Sequence, residues 1–208
     1  MIIAVDGPTA SGKGTIAKAL ANHFGLPHLD TGLLYRAVGQ QVALNGGDPD
    51  NLEEALAACT FPDSLLDDEG LRSEMVGGLA SRVSIHPPVR QALFDRQRAF
   101  ALQPGGAVLD GRDIGTVIAP DADVKLFVTA SVQERARRRW RELQARGIET
   151  ALADIERDIA ARDARDMGRK DAPLVAAPDA LVLDTTFFGR EQAMEAAIDA
   201  VRTCLSGA

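Results

Sequence analysis

A chain of 208 residues, 46% hydrophobic and 25% charged, can bury one ordinary core with room for an insert or lid, but not two large independent domains. Its formal charge of −7 excludes a protein that coats DNA or RNA nonspecifically, so any polyanion must be met by a local basic site. Cys59 and Cys204 are too few for a disulfide scaffold or a four-ligand zinc site and read as buried thiols.

Ile2-Ile3-Ala4-Val5 is a short, largely β-branched run that predicts a strand. No basic n-region precedes Asp6, and no apolar run approaches the roughly 18 residues that cross a bilayer, which points to a cytoplasmic protein with no membrane partner. Ile16, Leu20 and Phe24 then recur every four residues as one face of a helix. Between strand and helix lies Gly7-Pro8-Thr9-Ala10-Ser11-Gly12-Lys13-Gly14-Thr15, with the G-x-x-x-x-G-K spacing of a phosphate-binding P-loop. Glycines let successive N–H groups curl around a phosphate, and the helix N-terminus adds its positive dipole end. On this pattern Gly7, Ser11, Gly12, Lys13, Gly14 and Thr15 form a site for nucleotide phosphates, with Lys13 reaching the β- and γ-phosphates. Gly14 stands where the strict pattern has Ser or Thr, and the hydroxyl comes one residue later at Thr15. The rival dinucleotide fingerprint, Gly12-x-Gly14-x-x-Ala17 with Asp30 further on, fails because its first glycine must turn straight off the strand.

Residues 51–84 carry no strong strand signal, and Asp63 to Gly70 read as a polar loop between short helices. Pro87 and Pro88 suit the first turn of a helix running to about Phe100. Ala107–Leu109, Val124–Val128 and Ala180–Leu183 read as further buried parallel strands. Ser131-Val132-Gln133-Glu134 is a capping box, and Val132, Ala136, Trp140 and Leu143 stripe the helix it opens, so Trp140 belongs to packing. Ala193, Met194, Ala197, Ile198, Val201 and Leu205 give the last helix the same spacing. Strands alternating with helices imply an α/β fold with a parallel sheet covered on both faces. Residues 135–170 hold 11 of the 23 basic residues and a net charge of +4. An exposed helical face laced with ion pairs explains that run by itself.

A P-loop alone gives nucleotide binding, not a reaction, and the guanine-reading N-K-x-D of a GTPase is absent. A second set of polar motifs is present: Asp30-Thr31-Gly32-Leu33-Leu34-Tyr35-Arg36, Asp110-Gly111-Arg112-Asp113-Ile114-Gly115, and Arg162-Asp163-Ala164-Arg165-Asp166-Met167-Gly168-Arg169. The first two follow runs that read as strands, so they emerge at the carboxyl edge of the sheet, where open α/β folds bind ligands. Arg36, Arg112 and Arg169 can then converge on a second phosphate facing the P-loop, the layout of a phosphotransferase between two nucleotides. His23, His28 and His86 have no acidic or nucleophilic partner in a recognisable motif and read as structural.

These motifs, with the run from Ala80-Ser81-Arg82 through Pro87-Pro88-Val89-Arg90 and the Ala172-Pro173-Leu174 that follows Arg169, strongly resemble the bacterial cytidylate kinases over nearly the whole chain, in order. The resemblance implies a P-loop NTPase core with a five-stranded parallel sheet ordered 2-3-1-4-5, a short monophosphate-binding insert and an Arg-rich lid. It implies one domain over residues 1–208, in which 31–105 includes the monophosphate-binding region and about 145–170 the lid. The implied reaction transfers the γ-phosphoryl group of ATP to CMP or dCMP. Magnesium would accompany ATP, with the Thr15 hydroxyl as the one candidate protein contact to the metal.

Residue by residue, the resemblance implies that Ser81, Arg90 and Asp113 read cytosine, that Arg36, Arg112 and Arg169 hold the acceptor phosphate, and that Arg162 and Asp166 face the sugar. Thr31 joins the substrate set, and Lys13, Arg112, Arg162 and Arg169 the catalytic one. Cytosine offers an amino donor at N4 beside acceptors at N3 and O2, which a carboxylate, a guanidinium and a hydroxyl complement. Without the resemblance, Ser81 and Arg90 read as helix-surface residues. Between about Thr60 and Leu71 the small antiparallel insert of longer family members reads as cut to ten residues, Phe61 to Gly70. Another small P-loop kinase with a different acceptor, or a nucleotide-responsive binding protein, are the alternatives. An acidic chain without a coiled-coil pattern points to a monomer without nucleic-acid partners.

Overall fold

Three apolar runs of the sequence become the centre of a sheet: β1 (Ile2–Asp6), β3 (Ala107–Gly111) and β4 (Val124–Thr129). The protein was analysed as a computed structural model that describes residues 1–206. With β2 (His28–Asp30) and β5 (Leu181–Asp184) these strands form one five-stranded sheet in the order β2-β3-β1-β4-β5. Pairing is parallel between β1 and β3, β1 and β4, and β4 and β5. The register sets Asp6 beside Gly111 and Phe127, so the chain leaves β1, β3 and β4 at one edge. The P-loop and Arg112 therefore start side by side, although 103 residues separate Thr9 from Arg112.

The chain divides into two compact units, residues 1–29 with 101–208, and residues 30–100. In the first, α1 (Lys13–Phe24) and α8 (Arg190–Ser206) supply Ile16, Leu20, Ala197 and Val201 to a core with Ile3, Val5, Val108, Leu126 and Val128 of the sheet. Four-residue spacing puts Ile16 and Leu20 on one face of α1, as read from the sequence, with Phe24 half-buried at the end of that stripe. A helical hairpin, α6 (Val132–Ala145) and α7 (Leu152–Met167), closes over its own small core of Ala136, Leu143, Ile155 and Ile159, with Trp140 packed against it. Ser131 Oγ accepts from the Glu134 N–H and caps α6 as its capping box predicts.

The second unit contains α2 (Thr31–Leu44), α3 (Leu52–Ala57), α4 (Glu74–Val83) and most of α5 (Pro87–Ala101). Leu34, Val38, Val42, Leu71, Val76, Val83 and Val89 form its core. Among the described residues it has no strand of its own beyond Asp30, in keeping with a shortened insert.

Three expectations need correction. The run at Ala180–Leu183 is a strand, but not a buried one: Leu181 is 39% and Val182 63% exposed, because β5 is the last strand in the order. The stretch from Asp63 to Gly70 is not an open polar loop. Two 3₁₀ turns, Asp63–Asp67 and Glu69–Arg72, organise it; Asp68 Oδ1 accepts from the Gly70 N–H at 2.8 Å, and Leu65 and Leu66 tuck against the core. Cys59 and Cys204 are half-buried free thiols rather than fully buried ones, and burial pushes the Cys59 thiol up to about 11.

Candidate functional site

The loop after β1 is shaped by two glycines. A Cβ on Gly7 would lie 2.0 Å from the Val128 carbonyl oxygen, so only glycine lets the loop pass this close to β4. Gly12, at φ +91°, sits in the left-handed region and caps α1, its carbonyl accepting from the Thr15 and Ile16 N–H groups. Ala10, between them, also takes a positive φ of 59°, a conformation that costs an alanine energy and holds only where the surroundings fix it. Ser11 Oγ is buried and makes no hydrogen bond within the protein. A buried hydroxyl of this kind beside the start of a twelve-residue helix suits an anion. Lys13 Nζ donates to the Pro8 carbonyl at 3.2 Å, Gly14 and Thr15 occupy the first turn of α1, and a Cβ on Gly14 would lie 3.6 Å from Asp110 Oδ2.

The surroundings that fix the loop were not legible in its motif. Arg135 is buried and donates from Nε to the Ala130 carbonyl at 2.9 Å, from Nη1 to the Thr9 carbonyl at 2.9 Å, and from Nη2 to Asp163 Oδ2 at 2.6 Å. Arg138 donates to the Ser11 carbonyl at 3.3 Å and to Thr185 Oγ1 at 3.0 Å. Thr185 Oγ1 also reaches the Ser11 carbonyl, at 3.3 Å. The basic run thus has two kinds of arginine. Arg137, Arg146 and Arg157 make exposed pairs with Glu134, Glu142 and Asp154 on their own helices, while Arg135 and Arg138 turn inward to hold backbone carbonyls. Helical spacing hints at this split, since Arg135 and Arg138 are three residues apart, but it does not say what they face.

Beside the loop, Arg112 donates from Nε to Asp166 Oδ2 at 2.9 Å and from Nη2 to Thr9 Oγ1 at 2.8 Å. Asp166 is 4% exposed. Burial alone would raise its carboxyl, but Arg112, Arg162 and Arg169 outweigh it and hold the group below the ordinary aspartate value. Arg169 Nε donates to the Asp166 carbonyl at 3.2 Å. Four residues expected at the site, Arg112, Arg162, Asp166 and Arg169, therefore form one charge cluster. Asp166 turns inward to Arg112, so it is not part of an exposed helical face of ion pairs.

Asp113 is buried, and so is Asp6 at the end of β1. Burial pushes the Asp6 carboxyl up to about 7, opposed by hydrogen bonds from the Gly115 and Ile114 N–H groups, each 2.8 Å long, and reinforced by the nearby Asp113. A carboxyl raised in the folded state binds its proton more tightly there, so its contribution to stability is present at low pH and is lost as pH rises from about 4 through 7. Asp6→Asn is expected to remove that slope, about 1.4 kcal/mol per pH unit at most between the two pKa values. Thermal midpoints of both proteins across this window check it, and identical slopes would contradict the assignment. His28, read as structural without a partner, has one after all: its Nε2 lies 2.7 Å from Asp110 Oδ1, 82 residues away.

Within residues 30–100, Thr31 is buried at the start of α2, and Arg36 Nη1 donates to the Leu71 and Ser73 carbonyls at 2.6 and 2.8 Å. Ser81 is 3% and Arg90 9% exposed, so neither is the helix-surface residue that its spacing suggests. The Arg90 guanidinium stacks over the Tyr35 ring, 5.6 Å from its centroid. Among the described residues no cluster of His, Cys, Asp and Glu could by itself hold a metal ion, and no helix is long and apolar enough to cross a membrane.

Residues 3–203 match the family described as cytidylate kinase. A cytidylate kinase of Rhodopseudomonas palustris is 53% identical over 208 residues, covering 100% of this chain and 98% of that protein. One of Xanthobacter autotrophicus is 54% identical over 207 residues, with 100% of both chains covered. The crystal structure of an uncharacterized protein from Eubacterium ventriosum superposes with a TM-score of 0.54 at 14% identity, over 98% of this chain and 99% of that one, a likeness of fold alone. With more than half of its residues identical to these kinases along its full length, the chain belongs to the cytidylate kinase family.

Proposed function

We propose that this protein transfers the γ-phosphoryl group of ATP to CMP or dCMP. The observation that carries this reading is the full-length family match on a chain whose P-loop adjoins the Arg112–Asp166 cluster. The loop N–H groups and Lys13 bind the donor phosphates, with the buried Ser11 hydroxyl as a further polar group of the loop. Magnesium accompanying ATP would neutralise phosphate charge, and the Thr15 hydroxyl, in the first turn of α1, is the one candidate protein contact to it. Arg112 and Arg169 offset charge on the acceptor phosphate, the lid arginines Arg162 and Arg169 offset charge on the group in flight, and residues from about 145 to 170 act as a lid that excludes water. No general base is needed, because the attacking atom is a phosphate oxygen, already largely ionised with a second pKa of about 6.

Arg36 joins Arg112 and Arg169 on the acceptor phosphate, Ser81 and Arg90 read the base with Asp113, and Arg162 and Asp166 serve the sugar, with Thr31 in the substrate set. Turnover of ATP against CMP, dCMP, UMP, AMP and dTMP in a coupled assay tests the reading. CMP and dCMP are expected as the preferred acceptors. Preference for another monophosphate would make the chain a P-loop kinase of different specificity, and binding without turnover would make it a nucleotide-responsive protein.

Asp113→Asn tests the base assignment. An amide can turn either its oxygen or its nitrogen toward position 4 of the ring, so the preference for CMP over UMP is expected to shrink by about 1–3 kcal/mol, the value of one good base contact. An unchanged ratio of kcat/KM for the two acceptors would remove Asp113 from base recognition.

A further inference from the structure

Thr9 stands at an x position of the P-loop motif, where the pattern makes no demand on the side chain, yet two of its atoms are engaged by arginines. Its hydroxyl oxygen accepts from Arg112 Nη2 at 2.8 Å, and its carbonyl from Arg135 Nη1 at 2.9 Å. Each arginine also grips a carboxylate of α7: Arg112 Nε holds Asp166 Oδ2 at 2.9 Å, and Arg135 Nη2 holds Asp163 Oδ2 at 2.6 Å. Asp163 and Asp166 are three residues apart on α7 and share a face.

We propose that Thr9 is a positioning residue that orients the Arg112 guanidinium from the donor loop. A guanidinium has five N–H donors in a rigid plane. In Arg112, Nε is spent on Asp166, one Nη2 hydrogen on Thr9, and one Nη1 hydrogen on the Gly111 carbonyl at 3.4 Å. One N–H therefore remains on each terminal nitrogen, a pair suited to two oxygens of one phosphate. Asp166 holds the plane at its Nε edge and Gly111 only through a long 3.4 Å contact, so rotation about the Nε contact would swing both remaining donors away. Thr9 Oγ1 blocks the rotation from a second point.

That second point is itself held in place. The Thr9 carbonyl is pinned by Arg135, a side chain buried and bonded at all three nitrogens, and the next residue, Ala10, holds its positive φ. The hydroxyl direction is thus set by the loop that binds the donor, so the loop and the arginine keep one geometry.

The inference rests on the phosphoryl-transfer reading, and Thr9→Val separates the two. Valine keeps the shape of threonine and the carbonyl contact to Arg135, and removes only the hydroxyl. With ATP and CMP, Thr9→Val is expected to lower kcat about tenfold while KM for ATP changes less than about twofold, and Thr9→Ser, which restores the oxygen, to recover most of the loss. A merely structural role would not be rescued in kcat alone. Independently of activity, the Arg112 Nε–H resonance, assigned by its disappearance in Arg112→Lys, is expected to be protected from solvent exchange in the wild type and Thr9→Ser and exposed in Thr9→Val. Unchanged kcat and unchanged protection in Thr9→Val would overturn the proposal, as would equal loss in the valine and serine variants. Absence of wild-type turnover, with protection present in the wild type and Thr9→Ser and lost in Thr9→Val, would instead reject the phosphoryl-transfer reading and leave the orienting contact established.

Discussion

Lys13→Ala is expected to lower kcat by roughly 10²–10³-fold or more while leaving the thermal midpoint within a few degrees of the wild type. Phosphoryl transfer depends on positioning and charge neutralisation more than on covalent chemistry, so removal of a cation from the donor phosphates acts on the step itself. The side chain lies in the first turn of α1, on the loop side, and takes no part in the core of Ile16, Leu20 and the sheet. Its hydrogen bond to the Pro8 carbonyl stays within its own loop. Lys13→Arg should not rescue, because a planar fork does not replace a compact ammonium where the loop closes on a phosphate. Near-normal turnover of the alanine variant with ATP and CMP would reject the assignment of this loop as the donor site.

Asp166→Ala is expected to damage both stability and turnover, which distinguishes it from Lys13→Ala. The carboxylate is the buried counter-charge to Arg112, Arg162 and Arg169, and without it Arg112 loses its Nε partner. Breaking a buried pair from one side costs about 3–5 kcal/mol, near the lower end here because Arg112 keeps some solvent, or about 6–10 °C in Tm for a chain of this size. Asp166→Asn leaves an acceptor for the Arg112 Nε–H and should lie between the alanine variant and the wild type. The pH dependence has a definite sign. A carboxyl held below its ordinary value contributes stability above the unfolded pKa and loses it as pH falls through the folded one, so the gap between wild type and Asp166→Ala should close on acidification. Turnover should fall for CMP and dCMP alike while binding of an ATP analogue is spared. Unchanged kinetics with only a small loss of stability would return Asp166 to a structural role.

The Gly7–Thr15 loop is legible in the amino-acid sequence because its meaning is local: strand, glycine-rich turn and helix lie within about two dozen residues, and the backbone N–H groups that bind phosphate come with the turn. The same holds for the stripe of Ile16 and Leu20, the capping box at Ser131 and the packing of Trp140, since each follows from a helix's own periodicity. Strand order and the roles proposed at the base and the sugar came only through resemblance, because hydrophobic period says which residues face a core but not which strand lies next to which.

Tertiary structure decided the rest. It made β5 an exposed edge, buried Ser81 and Arg90, gave His28 an acidic partner, and sorted a run of arginines into exposed ion pairs and two inward anchors of the P-loop. Arg112 meets Asp166 across 54 residues and Thr9 across 103, and Arg135 meets Thr9 across 126. A guanidinium looks alike in sequence whether it ends in water or on a carbonyl. What separates the two is the parallel crossover connections, which return distant segments to one edge of the sheet and make the burial of a charge depend on partners that no local pattern contains.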